Sequence, residues 1–304
     1  MEGVARDRTC EYISGRAVTL EIVKKLNGHS GCQVDLCRDG ANYFIRKSSG
    51  SASYGPRLMR QVEKQQRLRK IIPVPQVVRC YFDKNPISYD MEFIQGLDFR
   101  QACLSKPMSW INVFVECMCT HFKALEGAAV KADLQSAFKS KLVSLQDVLY
   151  AHQAGKVRAL IPVLEALLAY DFSRLPATAS HGDLTLENII FKGDGDVVFI
   201  DVLDGDLESF WMDIAKITYD LEIAWSLRSS LWQSDHSPDD RLLRMLSRYL
   251  SEELGMVIAQ KFPEAVPHLP ALKAIQALRV LPYSHNEQTI DKLASYVAKL
   301  PIPV

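Results

Sequence analysis

The chain has 304 residues, 48% of them apolar and 24% charged, which suits two modest domains or one domain with two lobes. Thirty-six Lys and Arg offset thirty-six Asp and Glu, and zero net charge argues against nucleic acid or an anionic membrane as the main partner. The seven cysteines are scattered without zinc-finger spacing, and the odd count suggests no disulfide framework, so a reducing, cytoplasmic location is expected. The opening MEGVARDRTCEYIS has no apolar h-region, and no apolar run approaches the roughly 18 residues of a membrane span.

The first hundred residues read as strand-rich. AVTLEIVKKL is a mixed opening segment. GHSGCQVDLCRDGANYFIRKSS alternates on both sides of a turn marked by Asp39-Gly40, which predicts a hairpin. YGPRLMRQVEKQQRLRKI predicts a helix with an apolar stripe at Leu58, Val62, Leu68 and Ile71. Two prolines in IPVPQVVRCYF stop it and begin an extended segment, and ISYDMEFIQG predicts another strand ending at Gly96. After Gly96, helical periods dominate, over roughly 108–127, 131–152, 157–171, 211–230, 239–262 and 269–298. The exception is 180–204, where NIIF and VVFID are short strands joined by the turn KGDGD. The expected organisation is α+β: a small β-rich lobe over 1–95, a connection near 92–96, and a helical lobe over 97–304. A cleft between lobes is a common ligand site.

The acids of that exception define a chemistry. In SHGDLTLENIIF, Asp183 and Asn188 lie on the loop entering the first strand, and Asp201 ends the second. A hairpin brings its ends together, so Asn188 and Asp201 become neighbours. An amide oxygen beside a carboxylate suits Mg²⁺. Asp183, just outside, can act as a base or orient a nucleophile, and the set suits phosphoryl transfer.

HGDLTLEN followed by FID resembles the catalytic core of the aminoglycoside phosphotransferase and choline kinase family, a branch of the protein-kinase-like fold. The resemblance can be followed over most of residues 15–230. It implies a bilobal fold, with Asp183 as catalytic base, Asn188 and Asp201 as ligands of Mg²⁺ (two ions), His181 bracing the loop, and ATP or GTP as donor. It makes 1–95 the nucleotide-binding lobe. There NGHSG, with Gly28, Ser30 and Gly31, covers the phosphates. YFIRKSS carries the phosphate-pairing lysine, taken as Lys47, although Arg46 is adjacent and strand alternation lets only one of them face the cleft. Glu63 is the expected ion-pair partner of that lysine. Glu92 to Ile94 offer backbone groups to the adenine edge, with Met91 beside them.

The chain departs from protein kinases. Gly182 stands where they carry Arg before the catalytic Asp, and neither Phe-Gly after Asp201 nor Ala-Pro-Glu follows. A small-molecule acceptor is therefore expected: a sugar, amino sugar or amino alcohol of a bacterial surface-glycan or lipid-headgroup pathway, handled by a monomer or homodimer. Asp204 and Asp206 either assist a second magnesium or form a solvated loop. Asp213 is assigned a structural role at a helix start. Tyr219 and Asp220, and Tyr283, His285 and Glu287 in LPYSHNEQT, are candidates to face the acceptor, while Ser284 with Glu287 also has capping-box spacing. The competing reading is a pseudokinase that binds nucleotide or acts as a scaffold without turnover.

Overall fold

Alternation over residues 32–49 becomes a tight hairpin, and the rest of the N-terminal sheet is built on it. In the computed structural model the described residues are 21–26, 32–151, 155–193, 195–233, 237–281, 284 and 286–302. The chain divides into two units, Met1–Gln95 and Gly96–Val304.

The first unit contains β1 (Glu21–Leu26), β2 (Cys32–Asp39), β3 (Asn42–Ser49), α1 (Gly55–Leu68), β4 (Val77–Tyr81) and β5 (Ser88–Glu92). The strands form one antiparallel sheet in the order β1-β2-β3-β5-β4. Asp39 pairs with Asn42 as the last rung of the hairpin, and Gly40 takes the left-handed φ of 58° that its turn requires. The pleat sends Ile45, with Tyr89 and Met91, into a core against Leu58 and Val62 of α1. Lys47, two residues beyond Ile45, is also buried. Arg46 projects to the opposite face, where Asp90 holds its guanidinium bidentately at 2.6 and 2.8 Å.

The second unit contains α2 (Phe99–Ser105), α3 (Trp110–Glu126), α4 (Leu134–Ala151), α5 (Gly155–Arg158), α6 (Ile161–Ala169), β6 (Ile189–Phe191), β7 (Val197–Phe199), α7 (Phe210–Ile223), α8 (Arg228–Leu231), α9 (Pro238–Lys261), α10 (Leu269–Val280) and α11 (Glu287–Val297). Three expected helices are shorter than their periods suggest. The 157–171 pattern is split into α5 and α6, with Pro162 in the first turn of α6. The 211–230 pattern ends at Ala224, whose φ is 56°, and continues as a single 3₁₀ turn and then α8. The 269–298 pattern is α10 and α11, and Asn286 caps α11 by accepting the Thr289 N–H, so the Ser284–Glu287 capping box expected there is not the one used. Helix α2 was missed by periodicity. It starts at a capping box in which Asp98 and Gln101 exchange side-chain to backbone hydrogen bonds.

Two features position the site. Gly96 opens the unit where a Cβ would lie 2.7 Å from the Phe191 carbonyl oxygen, and Leu97 and Phe191 exchange backbone hydrogen bonds of 2.9 and 2.8 Å. Only glycine allows that approach. Helix α7 is buried from Phe210 through Leu221 and packs against α3, α9 and α10. Such a helix should be apolar all round. Instead it carries Asp213, Lys216 and Asp220, spaced i, i+3 and i+7 and so on one face. Buried charges need partners, and these three find them in one loop.

Candidate active site

The loop before β6 is fastened to α7 rung by rung. Asp213 accepts the backbone N–H groups of His181 and Gly182 at 2.5 and 2.9 Å. Both amides reach one carboxylate because Gly182 adopts a φ of 89°, which favours glycine. Seven residues along α7, Asp220 accepts the Leu186 N–H at 2.7 Å and both the N–H and the hydroxyl of Ser226. About 10 Å of helix thus spans the loop from His181 to Leu186. The His181 ring is fully buried: Nε2 donates to the Ile200 carbonyl at 2.9 Å, which leaves Nδ1 to accept the Asp183 N–H at 3.4 Å. The start of α7 is tied in as well, since the Thr178 hydroxyl accepts the Phe210 N–H.

Asp183 lies between the two fastening points. One carboxylate oxygen is 3.0 Å from Lys216 Nζ, and the side chain is 36% exposed against 9% for Lys216. Burial pushes the Asp183 carboxyl upward, but the Lys216 ammonium, by charge and by hydrogen bond, outweighs it; Arg279 adds to the pull, and the carboxyl is held below its usual range. Lys216 did not emerge from the sequence reading, although its spacing from Asp213 and Asp220 on a predicted helix carried the signal.

Asn188 donates its amide N–H to the Asp183 carbonyl at 2.8 Å and lies 3.4 Å from the Asp183 carboxylate. Its amide oxygen is then the acceptor end. The β6–β7 ladder pairs Ile189 with Phe199, and Ile200 N–H bonds to the Asn188 carbonyl, so Asn188 stands one residue short of facing Asp201. Asp201 has a φ of 59°, an uncommon conformation for a non-glycine residue and one that concentrates at functional sites. Among the described residues no group of three His, Cys, Asp or Glu could hold a metal alone. An amide oxygen with one carboxylate still fits Mg²⁺, which usually keeps several waters and takes the remaining oxygens from phosphates. Asp204 is half-buried and Asp206 exposed on the segment leading to α7.

Several expected positions read differently in three dimensions. Asp220 is no acceptor-facing acid, because both its oxygens are engaged by the chain. Burial pushes its carboxyl up to about 6, against the pull of the Ser226 and Leu186 donors. Tyr219 is fully buried, its ring packed against Tyr296 and Trp225, and its hydroxyl has no hydrogen-bond partner among the described residues. It lines the core rather than an open pocket. Glu287 is exposed in the first turn of α11. Gly28, Ser30, Gly31, Tyr283 and His285 lie outside the described residues.

In the N-terminal unit, the stripe of α1 that faces inward is Leu58, Gln61, Val62, Lys64, Gln65 and Leu68. Glu63 is exposed. The expected pairing of Lys47 with Glu63 is therefore corrected: one residue past Val62 is a 100° turn of the helix, which points Glu63 to water. Met91 is in the core and Gln65 reaches its sulfur at 3.6 Å. The Glu92 N–H is spent on the Gln76 carbonyl, and Ile94 is half-buried.

This architecture, a five-stranded sheet followed by a helical unit with the loop–hairpin just described, is the protein-kinase-like fold. Among solved structures, the aminoglycoside phosphotransferase APH(4)-Ia is similar with a TM-score of 0.61 at 12% identity, over 92% of each chain. The Plasmodium vivax ethanolamine kinase Pv091845 gives 0.56 at 14% identity, over 92% of this chain and 80% of that one. ADP-bound APH(2'')-Ib gives 0.56 at 13% identity, over 94% and 96%. No protein-family model and no curated protein sequence matches the chain. Among the described residues no helix is long and apolar enough to cross a membrane.

Proposed function

We propose that this chain is a phosphotransferase that moves the γ-phosphate of ATP or GTP to a hydroxyl of a small metabolite. The carrying observation is the partly open Asp183 carboxylate, fixed by α7 between Lys216 and Asn188, with Asp201 strained at the end of the adjoining strand. Asp183 stays ionised at neutral pH, orients the acceptor hydroxyl and takes its proton as the bond to phosphorus forms. Asn188 and Asp201 would hold Mg²⁺, with Asp204 close by in sequence for a second ion. When bound, the metal neutralises charge on the phosphates.

Lys47 pairs with the α- and β-phosphates, and Gly28, Ser30 and Gly31 cover them. The backbone from Glu92 to Ile94, beside Met91, receives the adenine edge through groups other than the Glu92 N–H. The likeness to APH(4)-Ia supports this reading, since ternary complexes of its variants hold ADP or AMP-PNP together with hygromycin B. A sugar, amino sugar or amino alcohol of a bacterial surface-glycan or lipid-headgroup pathway is the acceptor class we favour. A cytoplasmic setting goes with this reading, since the cysteine spacing suggests no disulfide framework.

Titration of ATP and GTP in the presence and absence of Mg²⁺ tests the metal assignment. Wild type should bind nucleotide more tightly with Mg²⁺, and Asp201→Asn should lose about tenfold or more of that gain, as a ligand-deficient site does. Identical Mg²⁺ dependence in the two proteins contradicts the assignment. Glu63→Ala, by contrast, should leave nucleotide affinity within about twofold of wild type, because an exposed helix charge contributes little. A tenfold loss would restore Glu63 as a partner of Lys47.

A further inference from the structure

We propose that Lys216 is a catalytic residue, the cation that accompanies the phosphoryl group as it passes to the acceptor. The inference rests on the phosphotransferase reading above and adds a role that the sequence motif does not contain. The loop HGDLTLEN carries no lysine or arginine of its own, so any fixed cation beside Asp183 must come from another element.

The three inward charges of α7 divide their work. Asp213 and Asp220 are spent on backbone N–H groups and a serine hydroxyl, which are positioning contacts. Lys216 alone touches the reacting carboxylate, at 3.0 Å. Its stem is buried and its ammonium also lies 5.9 Å from the centre of the Tyr219 ring, so one side of its head is bounded by an apolar wall.

The site has a charge problem that this lysine solves. An anionic phosphoryl group must approach an acceptor oxygen that is hydrogen-bonded to the anionic Asp183, and like charges in a partly buried site repel strongly. In the step itself, the acceptor oxygen forms its bond to the γ-phosphorus while the bond from that phosphorus to the β,γ-bridging oxygen breaks. The nucleoside diphosphate leaves with that electron pair, and the hydroxyl proton passes to Asp183. An acceptor oxygen about 2.7 Å from Asp183 lies within about 6 Å of Lys216 Nζ, a span that the flexible four-carbon stem covers by a rotamer change. Lys216 then contacts the equatorial oxygens of the transferring group and returns to Asp183 when product leaves. Lysine clamps on transferring phosphoryl groups act in this way.

The test compares wild type, Lys216→Met, Lys216→Arg and Lys216→Ala for acceptor-dependent nucleoside diphosphate release, with nucleotide affinity and melting temperature measured in parallel. The expected result is a fall in kcat of about 10²-fold or more in Lys216→Met, with nucleotide Kd and acceptor KM within about threefold. Lys216→Arg should retain more activity than Lys216→Met, and added methylamine should raise the rate of Lys216→Ala without changing its melting temperature. A kcat within about threefold of wild type in Lys216→Met overturns the role, since a clamp made only in the transition state must show in kcat. So does a folded Lys216→Ala protein that amines do not stimulate. If wild type itself shows no acceptor-dependent turnover, the phosphotransferase reading fails and takes this role with it.

Discussion

Asp183→Asn is expected to bind nucleotide as wild type does and to turn over about 10²–10⁴-fold more slowly, the range that a lost general base spans. The substitution is nearly isosteric. Asn188 bonds to the backbone carbonyl of residue 183, His181 to its backbone N–H, and Asp213 to the two amides before it, so the loop keeps its fastenings. What is lost is the charge that orients and deprotonates the acceptor and that pairs with Lys216. Initial rates of diphosphate release beside a nucleotide titration separate the two effects. A rate equal to wild type would remove Asp183 from the chemistry.

Asp220→Ala is expected to damage both fold and activity. It strips the partner from the Leu186 N–H, the Ser226 N–H and the Ser226 hydroxyl at once. An unsatisfied buried donor costs about 1–3 kcal/mol, and water entering the cavity recovers part of that, so a net loss of about 3 kcal/mol is expected. For a unit the size of Gly96–Val304 that is roughly 6–12 °C in melting temperature. Activity in the surviving folded protein should fall as well, because Leu186 lies between Asp183 and Asn188 in the loop. Thermal unfolding followed by circular dichroism, and rates taken well below the transition, check both. A melting temperature within about 1 °C of wild type would show that the acid is not the anchor argued here.

The part of this account that was readable beforehand is local. Asp183, Asn188 and Asp201 sit within 19 residues on a loop and a hairpin marked by two short apolar runs and the turn between them. The position of Lys47 on the pleat follows from strand alternation, and Asp90 holds Arg46 on the opposite face.

What was not readable depends on helix phase and on partners far along the chain. Leu58 and Val62 announced the stripe of α1, yet Glu63 was assigned inward although it is one step past Val62. In FWMDIAKITYDLEI three charges, Asp213, Lys216 and Asp220, share one face of a helix that is buried from Phe210 to Leu221. Their partners are 31–34 residues upstream for Asp213, Lys216 and the Leu186 contact of Asp220, and no periodicity reveals those. Asp98 and Gln101 did spell a capping box, and α2 was missed because its apolar period is too short to stand out.

Transfer of label from γ-labelled ATP or GTP to a panel of sugars, amino sugars, polyols and amino alcohols, with Mg²⁺, is the most direct measurement. The account predicts label in an organic phosphate with one acceptor class and none with Asp183→Asn. Nucleotide binding with no transfer to any acceptor, or equal transfer by the two proteins, would contradict it.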